Sequence, residues 1–186
     1  MPSWSRVATR SRVPLGFLFA VAYFWLARPT WISLATGFAI AAVGILIRAL
    51  ASGHIRKNAE LATTGPYAYT RNPLYLGSII IAIGFIVAAR NIWIGIGALA
   101  MFAFIYLPVI AAEEKYLQSA FPGYGRYAKE VPRFLPRLTP YRAETAEDDG
   151  SAHFSSALYL RHREYNAALG AVLMLGALVL KMLVKH

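Results

Sequence analysis

Long apolar stretches without a charged residue alternate with short polar connections along this chain. Five such stretches stand out, and they cover Val13–Ala27, Thr30–Ile47, Leu74–Ala89, Asn91–Ala112 and Tyr165–Leu180. A helix that crosses the hydrocarbon core of a bilayer needs about 20 mainly apolar residues. The pattern therefore predicts an all-α integral membrane protein with about five transmembrane helices.

The five stretches differ in length. The fourth is long enough to cross on its own, and the second becomes so if its helix continues through Arg48, whose side chain would then snorkel to the membrane surface. The fifth reaches the required length if Lys181 snorkels to the membrane surface and Met182–Val184 continue the helix. The first and third are short and need flanking residues or a locally thinner bilayer. Three arginines precede the first stretch, as in a signal peptide, but no good cleavage site follows, so we expect this helix to be retained.

Composition supports the same class of protein. Hydrophobic residues make up 58% of the 186 residues and charged residues 15%, whereas about a quarter of an ordinary soluble domain is charged. Too little polar sequence remains to cover five apolar helices in water, which excludes a soluble globular domain. The chain has no cysteine, and its four histidines are scattered, so we expect no disulfide, no thiolate nucleophile and no metal.

The distribution of basic residues predicts the orientation in the membrane. With a cytoplasmic N-terminus, 15 Lys and Arg residues lie inside and 4 outside, and all nine acidic residues lie inside. The C-terminus is then outside. The net charge of +10 is explained by loops against an anionic membrane face, so we expect no nucleic-acid partner. Because both outer connections are very short, chemistry must reside in the cytoplasmic segments 48–73 and 113–164.

We expect three regions along the chain. Residues 1–140 form a membrane core of four transmembrane helices and a cytoplasmic segment, 113–140. Residues 141–153 are acidic and poor in apolar side chains, which is typical of a solvated linker. Residues 154–186 carry the fifth transmembrane helix.

The first candidate site is the segment 63–77, TTGPYAYTRNPLYLG. Asn72 and Pro73 form a typical helix start, because Asn is a preferred N-cap and Pro a preferred first helical residue. Aromatic residues at this depth are often membrane anchors, and Arg71 could simply face a lipid phosphate. A helix N-terminus beside an arginine is nevertheless also a ready anion site.

Two further segments could complete a site. Pro108 should distort the fourth apolar helix and free a carbonyl near its inner end. We expect that helix to continue into the cytoplasm, with Glu113 and Glu114 about 100° apart so that one faces a pocket. The segment 121–137 then interleaves basic and aromatic residues, and we expect it to fold back onto the membrane face. That pattern alone is compatible with lipid headgroups, nucleotides or an anionic cofactor.

Taken in order, GPYAYTRNPLYLG, EEKYL and FPGYGRYAKEVPRFLP resemble the isoprenylcysteine carboxyl methyltransferase family. Phosphatidylethanolamine N-methyltransferases look similar in the same region. The resemblance covers about Arg48 to Leu138, and its three-part order makes it more specific than any single motif. It implies an integral-membrane methyltransferase that uses S-adenosyl-L-methionine in a cytosol-facing pocket, closed by the cytoplasmic helical and loop segment. The acceptor would be a membrane lipid or a lipophilic small molecule that arrives from the bilayer.

The resemblance also implies which residues form the site. The cofactor-side candidates are Tyr67, Arg71, Asn72, Pro73, Tyr75, Gly77, Glu113 and Glu114, with Tyr124, Tyr127 and Arg133 in the segment 121–137, which we call the closing segment. Catalysis would rest on Arg71, Asn72, Glu113 and Glu114. The prenylcysteine enzymes usually carry His where this chain has Asn72, which cannot take a proton. A protonated amine acceptor would therefore need a glutamate as its base.

Two other functions stay open. Membrane sterol reductases have a related helical arrangement and bind NADPH, but five spans in 186 residues and the paired glutamates argue against a reductase. A non-catalytic membrane scaffold would have no need of Arg71 or of two acids at the end of a span.

Overall fold

The computed structural model describes residues 4–56, 59–142 and 153–184. Its helices are α1 (Trp4–Leu26), α2 (Trp31–His54), α3 (Pro73–Ala89), α4 (Ile92–Met101), α5 (Leu107–Ala120), α6 (Tyr124–Glu130), α7 (Ser156–Arg161) and α8 (Tyr165–Val184). A 3-10 turn, Gly65–Ala68, precedes α3, and a π-helical turn, Phe102–Tyr106, joins α4 to α5. These ranges contain no strand, which agrees with the expected all-α class. Most of the acidic linker, residues 143–152, lies outside the described residues.

Among the described residues, three helical segments are long and apolar enough to cross a membrane. They are α2, the continuous segment Ile92–Ala120 and α8. The apolar part of α1, Val13–Leu26, and α3 are shorter. The membrane class is therefore supported. That α1 and α3 also cross, which would give five spans, stays a prediction.

The helix α8 ends at Val184, which confirms that the helix of the fifth stretch continues past Lys181. Lys181 Nζ donates to the carbonyls of Phe24, Trp25 and Ala27, at the end of α1. The last carbonyls of a helix have no partner within it and carry a partial negative charge, so an ammonium group stabilises them. The ammonium group that we expected to snorkel to the membrane surface therefore contacts main-chain carbonyls of the protein.

The distortion expected at Pro108 takes the form of the π-helical turn. Leu107 N donates to the carbonyl of Phe102, five residues earlier. Proline lacks an N–H group and its ring clashes with the carbonyl four residues back, and a widened turn relieves that clash. The helix then resumes and continues past both glutamates to Ala120, and its cytoplasmic location stays a prediction.

The chain divides into two compact units. The first comprises the described parts of Met1–Ala41, Ala82–Tyr116 and Val172–His186. The second comprises those of Ala42–Ile81 and Leu117–Ala171. The core of the first unit is built from buried residues of α1, α2, α3, α4 and α8, among them Tyr23, Leu34, Ala88, Ile94 and Leu178.

Glycines let α2 and α3 approach closely within each unit. In the first unit a Cβ on Gly37 would collide with the Gly84 carbonyl. In the second, a Cβ on Gly77 would lie 2.7 Å from the Gly44 carbonyl oxygen and 2.6 Å from Arg48 Cγ. Small residues are the usual contact between membrane helices, because they bring the backbones together.

Candidate functional site

The second unit contains two of the three segments singled out from the sequence. Its predicted site residues are Tyr67, Arg71, Asn72, Pro73, Tyr75, Gly77, Tyr124, Tyr127 and Arg133. Glu113 and Glu114 belong to the first unit. The structure thus brings the 65–77 motif and the 121–137 segment together.

The start of α3 has the predicted form. The helix begins at Pro73, and Leu76 N donates to the Asn72 carbonyl over 2.9 Å, so Asn72 occupies the N-cap position. Its side chain has a further role that the sequence did not reveal. Asn72 Nδ2 donates to the Arg133 carbonyl over 3.3 Å, which fixes the closing segment to the helix start.

The closing segment runs antiparallel to the residues before α3. Arg71 N donates to the Pro132 carbonyl over 2.9 Å, and Arg137 N donates to the Tyr69 carbonyl over 3.0 Å. The Thr70 hydroxyl adds a bond of 3.0 Å to the Arg133 carbonyl. Main-chain bonds and the Thr70 hydroxyl therefore hold this segment against the residues before α3.

Three predicted tyrosines are largely buried in the second unit. Tyr67 is 6% exposed, Tyr124 4% and Tyr127 2%. Tyr127 Oη donates to the Tyr67 carbonyl over 2.7 Å, and its ring meets the rings of Tyr124 and Tyr141 edge-on. Such rings offer little free surface for stacking. Their contact with a cofactor stays a prediction, while the structure gives them a supporting position.

Arg71 is half-buried at the helix start. Its Nη1 lies 3.4 Å from Tyr124 Oη, which orients the guanidinium. Burial raises the pKa of Tyr127, Tyr124 raises it further, and the positive charge of Arg71 opposes the rise. Tyr127 is therefore a neutral hydrogen-bond donor at neutral pH.

Three predicted site residues lie within α3 itself, and Pro73 is its first residue. Tyr75 is half-buried in its first turn. Gly77 is buried where α3 meets Gly44 and Arg48 of α2, so its absent side chain serves helix packing. A ligand contact of Gly77 stays a prediction.

The two consecutive glutamates of α5 have different surroundings, as expected. Glu114 is 9% exposed, whereas Glu113 lies on the exposed surface of the helix. Glu114 is thus the inward-facing acid of the pair within the first unit. A role of either residue at the cofactor stays a prediction.

Sequence reasoning missed a polar network around Arg48. We expected its side chain to snorkel, but Arg48 Nη2 lies 2.7 Å from Glu164 Oε2, and Nη1 donates to the Leu74 carbonyl and to Ser78 Oγ. The available signal was the charge itself, because an ionisable group within an apolar span usually has a protein partner.

The described residues contain no group of three or more His, Cys, Asp or Glu side chains placed to hold a metal ion. The expected absence of a metal stays a prediction.

Comparison with known proteins gives one family and two relatives. Residues 15–123 match the family model for phospholipid methyltransferases, a match that includes Arg71 to Gly77 and both glutamates and ends before Tyr124. The chain is 38% identical over 143 residues to the cobalt-zinc-cadmium resistance protein CzcN of Cupriavidus metallidurans, which covers 72% of this chain and 65% of that protein. It is 38% identical over 123 residues to the nickel-cobalt-cadmium resistance protein NccN of Alcaligenes xylosoxydans xylosoxydans, covering 62% of this chain and 57% of that protein. The matched region thus spans less than two thirds of either relative. No solved structure matches the chain.

Proposed function

The chain belongs to the phospholipid methyltransferase family, and on that premise we propose that it is a membrane methyltransferase that transfers a methyl group from S-adenosyl-L-methionine to a lipophilic acceptor. The observation that carries the proposal is the position of Arg71, held beside the start of α3 by the closing segment. The site faces the cytoplasm in the orientation that the basic residues favour.

Arg71 and the start of α3 suit the carboxylate of the cofactor. A guanidinium binds a carboxylate through charge-assisted hydrogen bonds, and the first N–H groups of a helix favour negative charge. The bond from Asn72 Nδ2 to the Arg133 carbonyl keeps the closing segment against this helix start. When bound, the cofactor supplies an activated methyl group for displacement, so the protein contributes mainly orientation and exclusion of water.

Glu114 is the better candidate of the two glutamates for binding the cofactor. Its carboxylate oxygens can accept hydrogen bonds from the cofactor's ammonium or ribose hydroxyls, and its burial limits competition from water. If the acceptor is a protonated amine, a glutamate also has to take its proton, since Asn72 cannot. A carboxylate acceptor needs no base.

The acceptor is proposed to reach the site from the bilayer. The family description favours a phospholipid amine, and the resemblance to prenylcysteine enzymes favours a lipid-borne carboxylate. The names of the two relatives associate them with resistance to cobalt, cadmium, zinc or nickel. We therefore also propose that methylation by this chain affects tolerance of such ions, to be tested by growth of a deletion strain on graded metal concentrations.

Calorimetry on the detergent-purified chain tests the proposal, with S-adenosylhomocysteine as the probe. Glu114→Gln should weaken binding about 10- to 100-fold, because a hydrogen bond to a charged group contributes about 1.5–3 kcal/mol. Glu113→Gln is the matched control on the same helix and should bind nearly as the wild type. Arg71→Ala should weaken binding by a similar factor to Glu114→Gln.

A labelling experiment identifies the acceptor. The protein is incubated with methyl-labelled cofactor and total lipid extract, and the labelled product is identified by mass spectrometry. Binding of NADPH without binding of S-adenosylhomocysteine would favour a reductase. Binding of neither, with no labelled product, would favour a scaffold.

A further inference from the structure

A cavity of about 420 Å³ opens in the second unit where α2 ends and α7 begins. Its lining consists of Gly53, His54, Arg56, His153, Phe154, Ser155, Ser156, Ala157 and Leu158. None of these residues belongs to the site predicted from the sequence.

The walls of the cavity are fixed by contacts between α2 and the chain before α7. Ser155 N donates to the Gly53 carbonyl over 3.0 Å, and the Phe154 ring lies directly against Gly53, where any Cβ would collide with it. His162 Nδ1 lies 3.2 Å from the Ser52 carbonyl oxygen. The cavity is therefore a built feature of the second unit.

The polar part of the lining consists of groups that are common in anion sites. It contains the His54 and His153 imidazoles, the Arg56 guanidinium and two serine hydroxyls, and no carboxylate is among these lining residues. His54 Nδ1 lies 2.8 Å from the Leu50 carbonyl oxygen, so Nε2 is the ring nitrogen of His54 that remains for a ligand. Arg56 Nε lies 3.6 Å from Glu60 Oε1, and its side chain is 48% exposed. A pair this exposed is weak, so most of the guanidinium remains available to a ligand.

The chemistry of these groups favours an anion over a metal ion as the ligand. Two imidazoles can ligate a cation, but a guanidinium beside them repels it, and metal sites of this kind usually add a carboxylate or thiolate. Arginine, imidazole and hydroxyl donors together match the oxygens of a phosphate.

We propose that this cavity binds a phosphate group carried by an organic substituent, as in a phospholipid headgroup. The volume of the cavity exceeds that of phosphate alone, and Phe154 and Leu158 provide apolar surface beside the cationic groups. The candidate membrane span α2 ends at His54, which places the cavity at the end of a spanning helix. Phospholipid headgroups lie at that depth. The site requires no S-adenosyl-L-methionine and stands apart from the proposed methyl transfer.

Calorimetry with the full chain in detergent tests the assignment with four probes. They are dioctanoyl phosphatidic acid, inorganic phosphate, dioctanoylglycerol and zinc chloride. We expect the phosphatidic acid to bind and the phosphate-free diglyceride not to bind. Inorganic phosphate that binds as tightly as the lipid would assign the site to free phosphate with the same residues.

Substitutions localise the binding to the cavity. Arg56→Gln should weaken binding of the phosphatidic acid at least 10-fold, and Arg56→Lys should retain part of it. Arg142→Gln is the control, because Arg142 is exposed in the same unit outside the cavity lining. Ser156→Glu places a carboxylate at the cavity without removing a packing residue, and it should weaken binding as well.

Two results would overturn the proposal. One is equal affinity for phosphatidic acid in the wild type, Arg56→Gln and Ser156→Glu. The other is zinc binding that is lost in His54→Gln, with no binding of either phosphate probe, which would make the cavity a metal site.

Discussion

Arg48 of α2 and Glu164, the residue before α8, form an ion pair with 2.7 Å between Nη2 and Oε2. The side chains are 22% and 14% exposed, and the residues are 116 positions apart in the chain. Arg48 also donates to the Leu74 carbonyl and to Ser78 Oγ of α3. One guanidinium thus connects α2, α3 and the start of α8 within the second unit.

Glu164→Gln should lower the free energy of unfolding by about 1.5–3 kcal/mol, because the mostly buried guanidinium loses its charged partner. Chemical unfolding in a mild detergent measures the change. Arg161→Gln, an exposed arginine nearby on α7, is the control and should change the stability by less than about 0.5 kcal/mol. The double variant Arg48→Met/Glu164→Leu should recover part of the loss, since neither charge is then left alone. A Gln variant as stable as the wild type would show that the pair contributes little.

The ion pair also illustrates which parts of the fold could be predicted from the sequence. Apart from the terminal residues Ala27, Thr30 and Asn91, the apolar stretches lie within α1, α2, α3, the Ile92–Ala120 segment and α8, because charge-free runs are a local signal. The partner of Arg48 was not predictable, since the acidic linker separates Glu164 from the preceding helices in the sequence. Any acidic residue on the predicted cytoplasmic side could have formed the ion pair. The contact of Gly44 with Gly77 likewise depends on how two helices align, which no single stretch encodes.

The same division applies to the candidate site. The helix start at Asn72 and Pro73 was predictable because cap preferences are local. The inward position of Glu114 was predictable only as one of two alternatives, since the helical angle separates the glutamates without saying which faces inside. A tyrosine that supports a loop cannot be distinguished in a sequence from one that binds a ligand. Only the structure shows that Tyr127 is buried and donates to the Tyr67 carbonyl.

Asn72→Asp is expected to separate the cap preference of residue 72 from the donor role of the Asn72 side-chain amide. Aspartate keeps the cap preference but cannot donate to the Arg133 carbonyl, and it adds a negative charge beside Arg71. We expect this variant to fold and to bind S-adenosylhomocysteine less tightly than Asn72→Ala, which loses about 0.5–2 kcal/mol of stability. Calorimetry and thermal unfolding measure the two effects. Wild-type affinity in the Asp variant would mean that no cofactor carboxylate binds at this helix start.

Tyr127→Phe removes the donor to the Tyr67 carbonyl and should lower the free energy of unfolding by about 1–3 kcal/mol, because a buried acceptor loses its partner. Unfolding at neutral pH measures this loss. Tyr165→Phe is the control, since that ring is exposed at the first residue of α8. Equal stability of the Tyr127→Phe variant and the wild type would mean that the bond contributes no net free energy.

Tyr127 should also make stability depend on alkaline pH. Burial raises its pKa above the ordinary value of about 10, so the folded state holds the proton more tightly than the unfolded state. Its contribution is complete below about pH 10 and is lost as the pH rises through the raised pKa of the folded state. The wild type should lose more stability between about pH 10 and pH 12 than Tyr127→Phe does. Parallel pH profiles would contradict this.

The orientation is tested by reporters fused after Arg90 and after His186. Both should report the outer face if each of the five helical segments crosses, because the inner segments carry 15 of the 19 basic residues. A reporter within residues 113–140 should report the cytoplasm. A cytoplasmic C-terminus would mean that one of the short helices, α1 or α3, does not cross.

Gly77→Ala should destabilise the protein through the contact between α2 and α3. The added methyl group would lie 2.7 Å from the Gly44 carbonyl oxygen and 2.6 Å from Arg48 Cγ, so the helices have to separate. Overpacking of this kind costs about 1–3 kcal/mol, more than alanine gains over glycine as a helix former. Gly176→Ala is the matched control in α8, because nothing lies within 4 Å of the added Cβ there. It should leave stability unchanged or raise it by up to about 1 kcal/mol.

Because Gly77 was predicted as a cofactor-side residue, S-adenosylhomocysteine affinity is measured on the folded fraction of the same variants. A pure packing role leaves that affinity unchanged while stability falls, whereas loss of affinity at unchanged stability would assign Gly77 to the cofactor.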